Sequence, residues 1–260
     1  LELNGVYLGT YQISDQVDVR PHRVNVVEQD FPLTETSDIS GGYLLEVDGF
    51  RDGNCFATSY YGVPIRIHRP DDDEIVAKQT AWINDYVNQF EWALISGDYT
   101  DEYKGYRRFV DSTSLANWYI ATEVSANVDG FYSTYFYKDQ NDPLLYWGPL
   151  WDYDIAYNND YRTDRGGSNT TRQLMVNVAY NGSKVWVQRM WTDPWFARLV
   201  YRRYQKALSD GLVDFLHQKI DSVAALLDAS QKLNYRKWGI DTRMYHEIVL
   251  YSSYKEYVND

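Results

Sequence analysis

Two aspartates at the ends of a predicted β-hairpin are the residues of this chain best placed to do chemistry. Asp129 precedes one aromatic run that predicts a strand, and Asp152 follows a second such run. A hairpin brings its ends within about one strand spacing, roughly 5 Å, so the two carboxylates should lie close together. Asp152 and Asp154 are two residues apart, so on a strand their side chains would point to the same face. This arrangement favours a binding site for a hard cation, such as the magnesium held on a nucleotide. The alternative is that these acids cap the next loop or pair with Arg162 and Arg165.

Other kinds of catalytic site have little support in the sequence. There is no phosphate-binding glycine loop, no nucleophile elbow, no His-Glu-x-x-His motif and no dinucleotide fingerprint. The histidines are scattered singly, and Cys55 is the only cysteine, which excludes an intrachain disulfide and a cysteine zinc cluster. A glycosidase built on two carboxylates remains open, because Asp129 and Asp152 could meet the spacing such enzymes need.

The elements that must position the aspartates follow from the periodicity. Residues 1–69 read as short β-branched or aromatic runs separated by Asp, Gly, Pro and Ser. Predicted strands cover residues 5–13, 23–27, 42–47 and 63–67. An acidic run at 71–74 predicts the first turn of a helix that stops at Gly97, and Asp111 or Ser112 should cap a second helix that ends near Asn127.

The second part of the chain reads as mainly helical. After the hairpin strands at 131–138 and 144–150, a polar loop is predicted over 152–181, and helices over 194–209, 212–233 and 243–257. This order predicts an α+β fold. Residues 1–70 would form a sheet-rich part, and residues 71–260 a helical part that carries the hairpin 129–154.

Composition limits the partners. The formal net charge is −12, and no window is basic enough to bind a phosphate backbone, so nucleic acid is not expected. No apolar run is long enough to span a membrane. Aromatic residues make up 17% of the chain, which suggests an aromatic-lined pocket or a carbohydrate-facing surface. Because the sequence opens with Leu1 inside a strand-like run, we expect a piece of a longer precursor whose signal peptide lies outside it.

Seven segments in order resemble the CotH-like atypical protein kinases, a family named for a bacterial spore coat protein. The segments are Gly5-Val-Tyr-Leu, Arg23-Val-Asn, Gly41-Gly-Tyr-Leu-Leu-Glu46, Val63-Pro-Ile, Glu123-x-x-x-Asn127-x-Asp129, Ser133-x-Tyr-Phe-Tyr-Lys-Asp139 and Gly148-Pro-Leu-Trp-Asp-Tyr-Asp154. The resemblance implies a divergent kinase fold in which a sheet-rich lobe and a helical lobe enclose ATP and Mg²⁺ or Mn²⁺. It also implies phosphate transfer to Ser or Thr of a surface or coat protein, and an extracytoplasmic or cell-surface location.

The resemblance assigns roles to individual residues. Asp129 matches the aspartate that orients or deprotonates the acceptor hydroxyl, and Asp152 matches the metal-binding aspartate, with Asp154 beside it. From their spacing of one helical turn, Glu123 and Asn127 are expected to support the site, with Asn127 also a candidate nucleotide contact; the alternative is that they cap the end of their helix. By their position in the strand region rather than by the resemblance, Arg23 and Arg66, with Arg69 as a further candidate, are the cations expected to meet phosphate oxygens; the alternative is that these arginines are only solvated.

Departures from the kinase pattern keep alternatives open. The metal-binding Asn expected five residues after the catalytic aspartate is replaced by Thr134, and Gln12 follows Tyr11 where an acid is common. A kinase-like fold without full catalysis is therefore an alternative. A second alternative is a non-catalytic module that binds glycans of a secreted protein through exposed Trp and Tyr.

Overall fold

The computed structural model describes residues 1–157, 160, 162, 173–242 and 250–260. Strands come first and helices afterwards, with one embedded hairpin, which confirms the α+β prediction. The strands are β1 (Glu2–Leu3), β2 (Val6–Tyr7), β3 (Tyr43–Val47), β4 (Cys55–Ala57), β5 (Pro64–Arg69), β6 (Thr134–Lys138) and β7 (Leu145–Trp147). The helices are α1 (Ala77–Ile95), α2 (Ser112–Val124), α3 (Met175–Val178), α4 (Lys184–Met190), α5 (Pro194–Ser209), α6 (Leu212–Trp238) and α7 (Tyr254–Asn259).

The hairpin belongs to the same sheet as the strands of the first seventy residues. The antiparallel order is β4-β5-β3-β6-β7, so β3 is central. Val47 at the end of β3 lies opposite Thr134 at the start of β6. The loop that carries Asp129 therefore enters the sheet at the Val47 end of its central strand.

Both faces of the sheet are covered. Tyr43, Leu45 and Val47 of β3 pack in the main core with α1, α2 and α4, whereas Leu44 faces a smaller cluster. That cluster includes four valines of the preceding segment: Val17, Val19, Val24 and Val26. Because both faces are covered, β3 is a nearly continuous apolar run rather than an alternating one.

The start of α1 differs from the prediction. The helix begins at Ala77, and Gln79 accepts a hydrogen bond at its side-chain Oε1 from the backbone N–H of Val76, 2.7 Å away. The acidic run 71–74 was wrongly placed in its first turn, because Asp72 instead pairs with Arg66. At α2 the prediction is confirmed: Asp111 caps the helix by accepting from the Ser114 N–H at 2.7 Å.

Two predicted strands are not formed as expected. Of residues 5–13 only Val6–Tyr7 is a strand, paired with β1. This hairpin lies on the end of α6, where Trp238 Nε1 donates to the Leu8 carbonyl at 3.1 Å. Val24 makes only an isolated bridge with Val19. Short β4 was not predicted, and part of the last predicted helix, 243–249, lies outside the described residues.

Twelve of the aromatic side chains that the structure describes are buried in the core. Phe90 makes edge contacts with Trp147 and Trp186, and Phe136 stacks on Trp147 at 5.7 Å. The aromatic excess therefore gives little support to a carbohydrate-facing surface. Among the described residues, no helix combines the length and apolarity needed to cross a bilayer.

Candidate active site

The loop that follows α2 holds Asp129 between two anchors. Val128 and Phe131 are buried in the core, and Ser183 donates to the Phe131 carbonyl from both its backbone and its hydroxyl, at 2.8 and 3.0 Å. Gly130 is required here, since a Cβ would lie 2.7 Å from Cγ2 of Thr122. The side chain of Asp129 is left partly open to solvent, with 34% of it exposed.

Asp152 lies near enough to Asp129 for the two charges to interact, in agreement with the hairpin prediction. Partial burial raises the pKa of Asp152, and the negative charges of Asp154 and Asp129 raise it further. A hydrogen bond from the Ser133 hydroxyl acts in the opposite direction. The three aspartates therefore form a cluster of mutually repelling carboxylates that a cation would relieve.

The backbone that presents Asp152 is not a strand. Strand β7 ends at Trp147, and Asp152 adopts a left-handed conformation with φ of 62°. The prediction that Asp152 and Asp154 share a strand face was therefore wrong. The two side chains still come within hydrogen-bonding reach, because a turn rather than a pleat brings them together. Conformations of this kind are uncommon for residues other than glycine and are held by surrounding contacts.

Asn127 connects the two aspartates. Its side chain has no exposed surface; Oδ1 accepts from the Asp129 N–H at 3.1 Å, and Nδ2 donates to the Asp152 carbonyl at 3.2 Å. One amide thus fixes the backbone of both segments relative to each other.

Arg162 contacts Asp129 from the other side. Its Nη1 lies 3.5 Å from Oδ1 of Asp129. Asp160, which is fully buried, accepts from Nε and Nη2 of Arg162 at 2.7 and 2.5 Å. The sequence suggested Arg162 only as a residue that neutralises the acids. It did not indicate the role of Asp160, because no periodicity links this polar stretch to Asp129.

The carboxylates fit a metal that arrives with a phosphate ligand. Among the described residues, no three or more His, Cys, Asp or Glu side chains are arranged to hold a metal by themselves. Mg²⁺, however, is usually bound through one or two carboxylates together with substrate phosphates and water. The pair of Asp152 and Asp154 matches that donor set. The Thr134 hydroxyl is not available, because it is buried and donates to the Gly130 carbonyl at 2.9 Å.

Glu123 faces a different part of the molecule. Its carboxylate accepts from the backbone N–H groups of Met175 and Val176, at 2.5 and 3.0 Å, and so caps α3. Burial raises its pKa, while these two hydrogen bonds act against that effect. Any support that Glu123 gives to the aspartates is exerted through the packing of α2 and α3.

The two strand arginines predicted to meet phosphate differ in their surroundings. Arg66 is bound to Asp72, with its Nη2 2.5 Å from Oδ2, and this hydrogen bond raises its pKa. The Nε of Arg23 is buried and lies 3.3 Å from Oδ2 of Asp15, an ion-pair distance without hydrogen-bond geometry. Arg23 is therefore held less tightly by its acid than Arg66 is by Asp72.

An open cleft of about 1770 Å³ begins next to this cluster. Asp154 and Tyr157 lie at its border, and the cleft extends along α6 to Tyr254 of α7. A polypeptide could reach the aspartates from this side.

Comparison with protein families gives a match over the whole chain. The family model described as CotH kinase protein matches residues 1–260, the whole chain. The chain belongs to the CotH kinase family. Neither the curated proteins nor the solved structures contain a significant match. Membership implies a kinase-like fold and a kinase-like function. Kinases in general use ATP and a divalent metal.

Proposed function

We propose that this CotH kinase domain transfers the γ-phosphate of ATP to a Ser or Thr hydroxyl of a surface or coat protein. The observation that carries the proposal is the pairing of Asp129 with Asp152 through Asn127. Phosphoryl transfer asks a protein mainly for positioning and for charge stabilisation, which this arrangement can supply.

Each aspartate has a distinct part in this proposal. Asp129, partly open to solvent, accepts the proton of the acceptor hydroxyl and orients its oxygen. Asp152 and Asp154 provide the protein ligands for Mg²⁺ or Mn²⁺. When bound, the metal neutralises charge on the phosphate oxygens.

Arginines of the strand region provide further contacts to the nucleotide. Arg23 is the better supported of the two candidates, because its ion pair with Asp15, at 3.3 Å, is longer than that of Arg66 with Asp72, at 2.5 Å. Arg66 would have to leave Asp72 to bind phosphate. Asn127 contributes by holding the two segments together, and a direct nucleotide contact remains part of the proposal. The acceptor, and an extracytoplasmic or cell-surface location, are inferred from the family alone.

The test compares binding with transfer. Thermal shift with ATP and Mg²⁺, against metal alone, should show stabilisation of the wild type by mass action. We expect Asp152→Asn to lose that metal-dependent stabilisation. Asp129→Asn should keep it but lose transfer of labelled phosphate from ATP to Ser/Thr peptides. Asp73→Asn, at an exposed position, is the matched control and should behave as the wild type.

Three outcomes distinguish the alternatives. Unchanged nucleotide affinity in Asp152→Asn would contradict the metal site. Binding of ATP without transfer by the wild type would indicate a kinase-like domain that has lost catalysis, consistent with the buried Thr134 hydroxyl. No nucleotide binding at all would refute the proposed function.

A further inference from the structure

Arg162 is held in one orientation by a buried acid. Asp160 accepts from Nε and Nη2 of its guanidinium and also, at 2.7 Å, from its backbone N–H. Asp160 has no exposed surface, and 12% of the Arg162 side chain is exposed. This grip leaves the Nη1 edge of the guanidinium facing Asp129.

Other basic side chains near the sheet are bound elsewhere. Arg66 is bound to Asp72, and Arg69 to Asp18 and Asp71. Lys138 is buried and donates to the carbonyls of Ser40 and Asp139, each at 2.8 Å. Among the residues that the structure describes, Arg162 forms an ion pair with Asp129.

We propose that Nη1 of Arg162 contacts the transferring phosphoryl group and stabilises its charge in the transition state. This inference rests on the proposed function, since it places a third charged group at the same site. A planar guanidinium gripped along one edge presents its other edge in a fixed position, which suits recognition of phosphate oxygens.

Phosphoryl transfer at this site exchanges one bond of the γ-phosphorus for another. The acceptor oxygen forms a bond to the γ-phosphorus as the bond from that phosphorus to the bridging oxygen of ADP breaks, and ADP leaves with the electron pair. The hydroxyl proton goes to Asp129. Arg162 forms no covalent bond; its Nη1 stays where Asp160 holds it, beside Asp129, and during transfer it donates to the equatorial oxygens of the phosphoryl group there.

The experiment separates binding from chemistry with Arg162→Met and Arg162→Lys, and Arg202→Met at an exposed position of α5 as control. An arginine that acts on a transferring phosphoryl group is worth about 10³-fold or more in kcat, so Arg162→Met should lose roughly that much. In Arg162→Met the Kd for ATP with Mg²⁺ should change by less than about threefold. The kcat of Arg162→Lys should lie between those of the wild type and Arg162→Met. ADP with aluminium fluoride, which mimics the transition state, should bind more tightly than ADP to the wild type but not to Arg162→Met.

The outcomes point to different failures. A wild type that transfers phosphate while Arg162→Met keeps its kcat within about threefold overturns this inference and leaves the proposed function standing. A wild type that transfers no phosphate overturns both. If Arg162→Met does not fold, kcat and the Kd for ATP are measured on Arg162→Lys instead. This variant keeps the positive charge and loses the planar guanidinium.

Discussion

Asn127 donates a hydrogen bond from its side-chain amide to the backbone carbonyl of Asp152 over a distance of 3.2 Å. The side chain of Asn127 has no surface exposed to solvent. The same amide accepts from the N–H of Asp129. Two loops that are distant in the sequence therefore share one buried side chain, and the relative position of their carboxylates depends on it.

Replacing Asn127 with Ala should damage both stability and catalysis. The change leaves a backbone N–H and a carbonyl without partners, so the free energy of unfolding should fall by about 2 kcal/mol, which denaturant titration measures. With the two loops no longer linked, kcat should fall more than ATP affinity. Asn117→Ala, at an exposed position of α2, should change neither quantity. Weakened ATP binding at unchanged stability would instead show that Asn127 contacts the nucleotide.

Asp152→Asn should separate stability from function. The folded protein raises the pKa of Asp152, so the ionised carboxylate disfavours folding once the pH exceeds that raised pKa. The amide removes this cost at neutral pH. Because the side chain is open to water, the Tm gain should be small, on the order of 1 °C.

The pH dependence provides the check. The Tm advantage of Asp152→Asn should shrink as the pH falls through the raised pKa and vanish below about 3, where the carboxyl is protonated in both the folded and the unfolded chain. With Mg²⁺ and ATP present, the order should reverse, because only the wild type gains the metal contact. A variant less stable than the wild type at neutral pH without ligand would show that the carboxylates do not repel one another as described.

Glu123→Ala should destabilise the protein through α3. The carboxylate satisfies two backbone N–H groups that would otherwise remain unpaired, so a loss of about 2 kcal/mol is expected on denaturant titration. Glu123→Gln keeps one acceptor oxygen and should lose less. Nucleotide affinity in Glu123→Gln should stay near that of the wild type. A loss of affinity without a loss of stability would place Glu123 at the nucleotide instead.

Hairpin geometry is the part of the site that could be predicted. The pairing of Asp129 and Asp152 follows from local turn and strand signals, since the two ends of a hairpin meet wherever it is placed. The conformation of Asp152 could not be predicted, because its left-handed backbone is imposed by contacts with other segments.

Local signals in the sequence by themselves determined the α+β order, a helix cap at Asp111 or Ser112, the hairpin and the proximity of its two aspartates. These features depend on residues that are neighbours along the chain. Only the tertiary structure decided that Asn127 links the two loops, that Glu123 caps α3, that Arg66 is bound to Asp72, and that Asp160 holds Arg162 against Asp129. Each of these depends on which segments pack together, and long-range packing leaves no fixed spacing in the sequence from which it could be read.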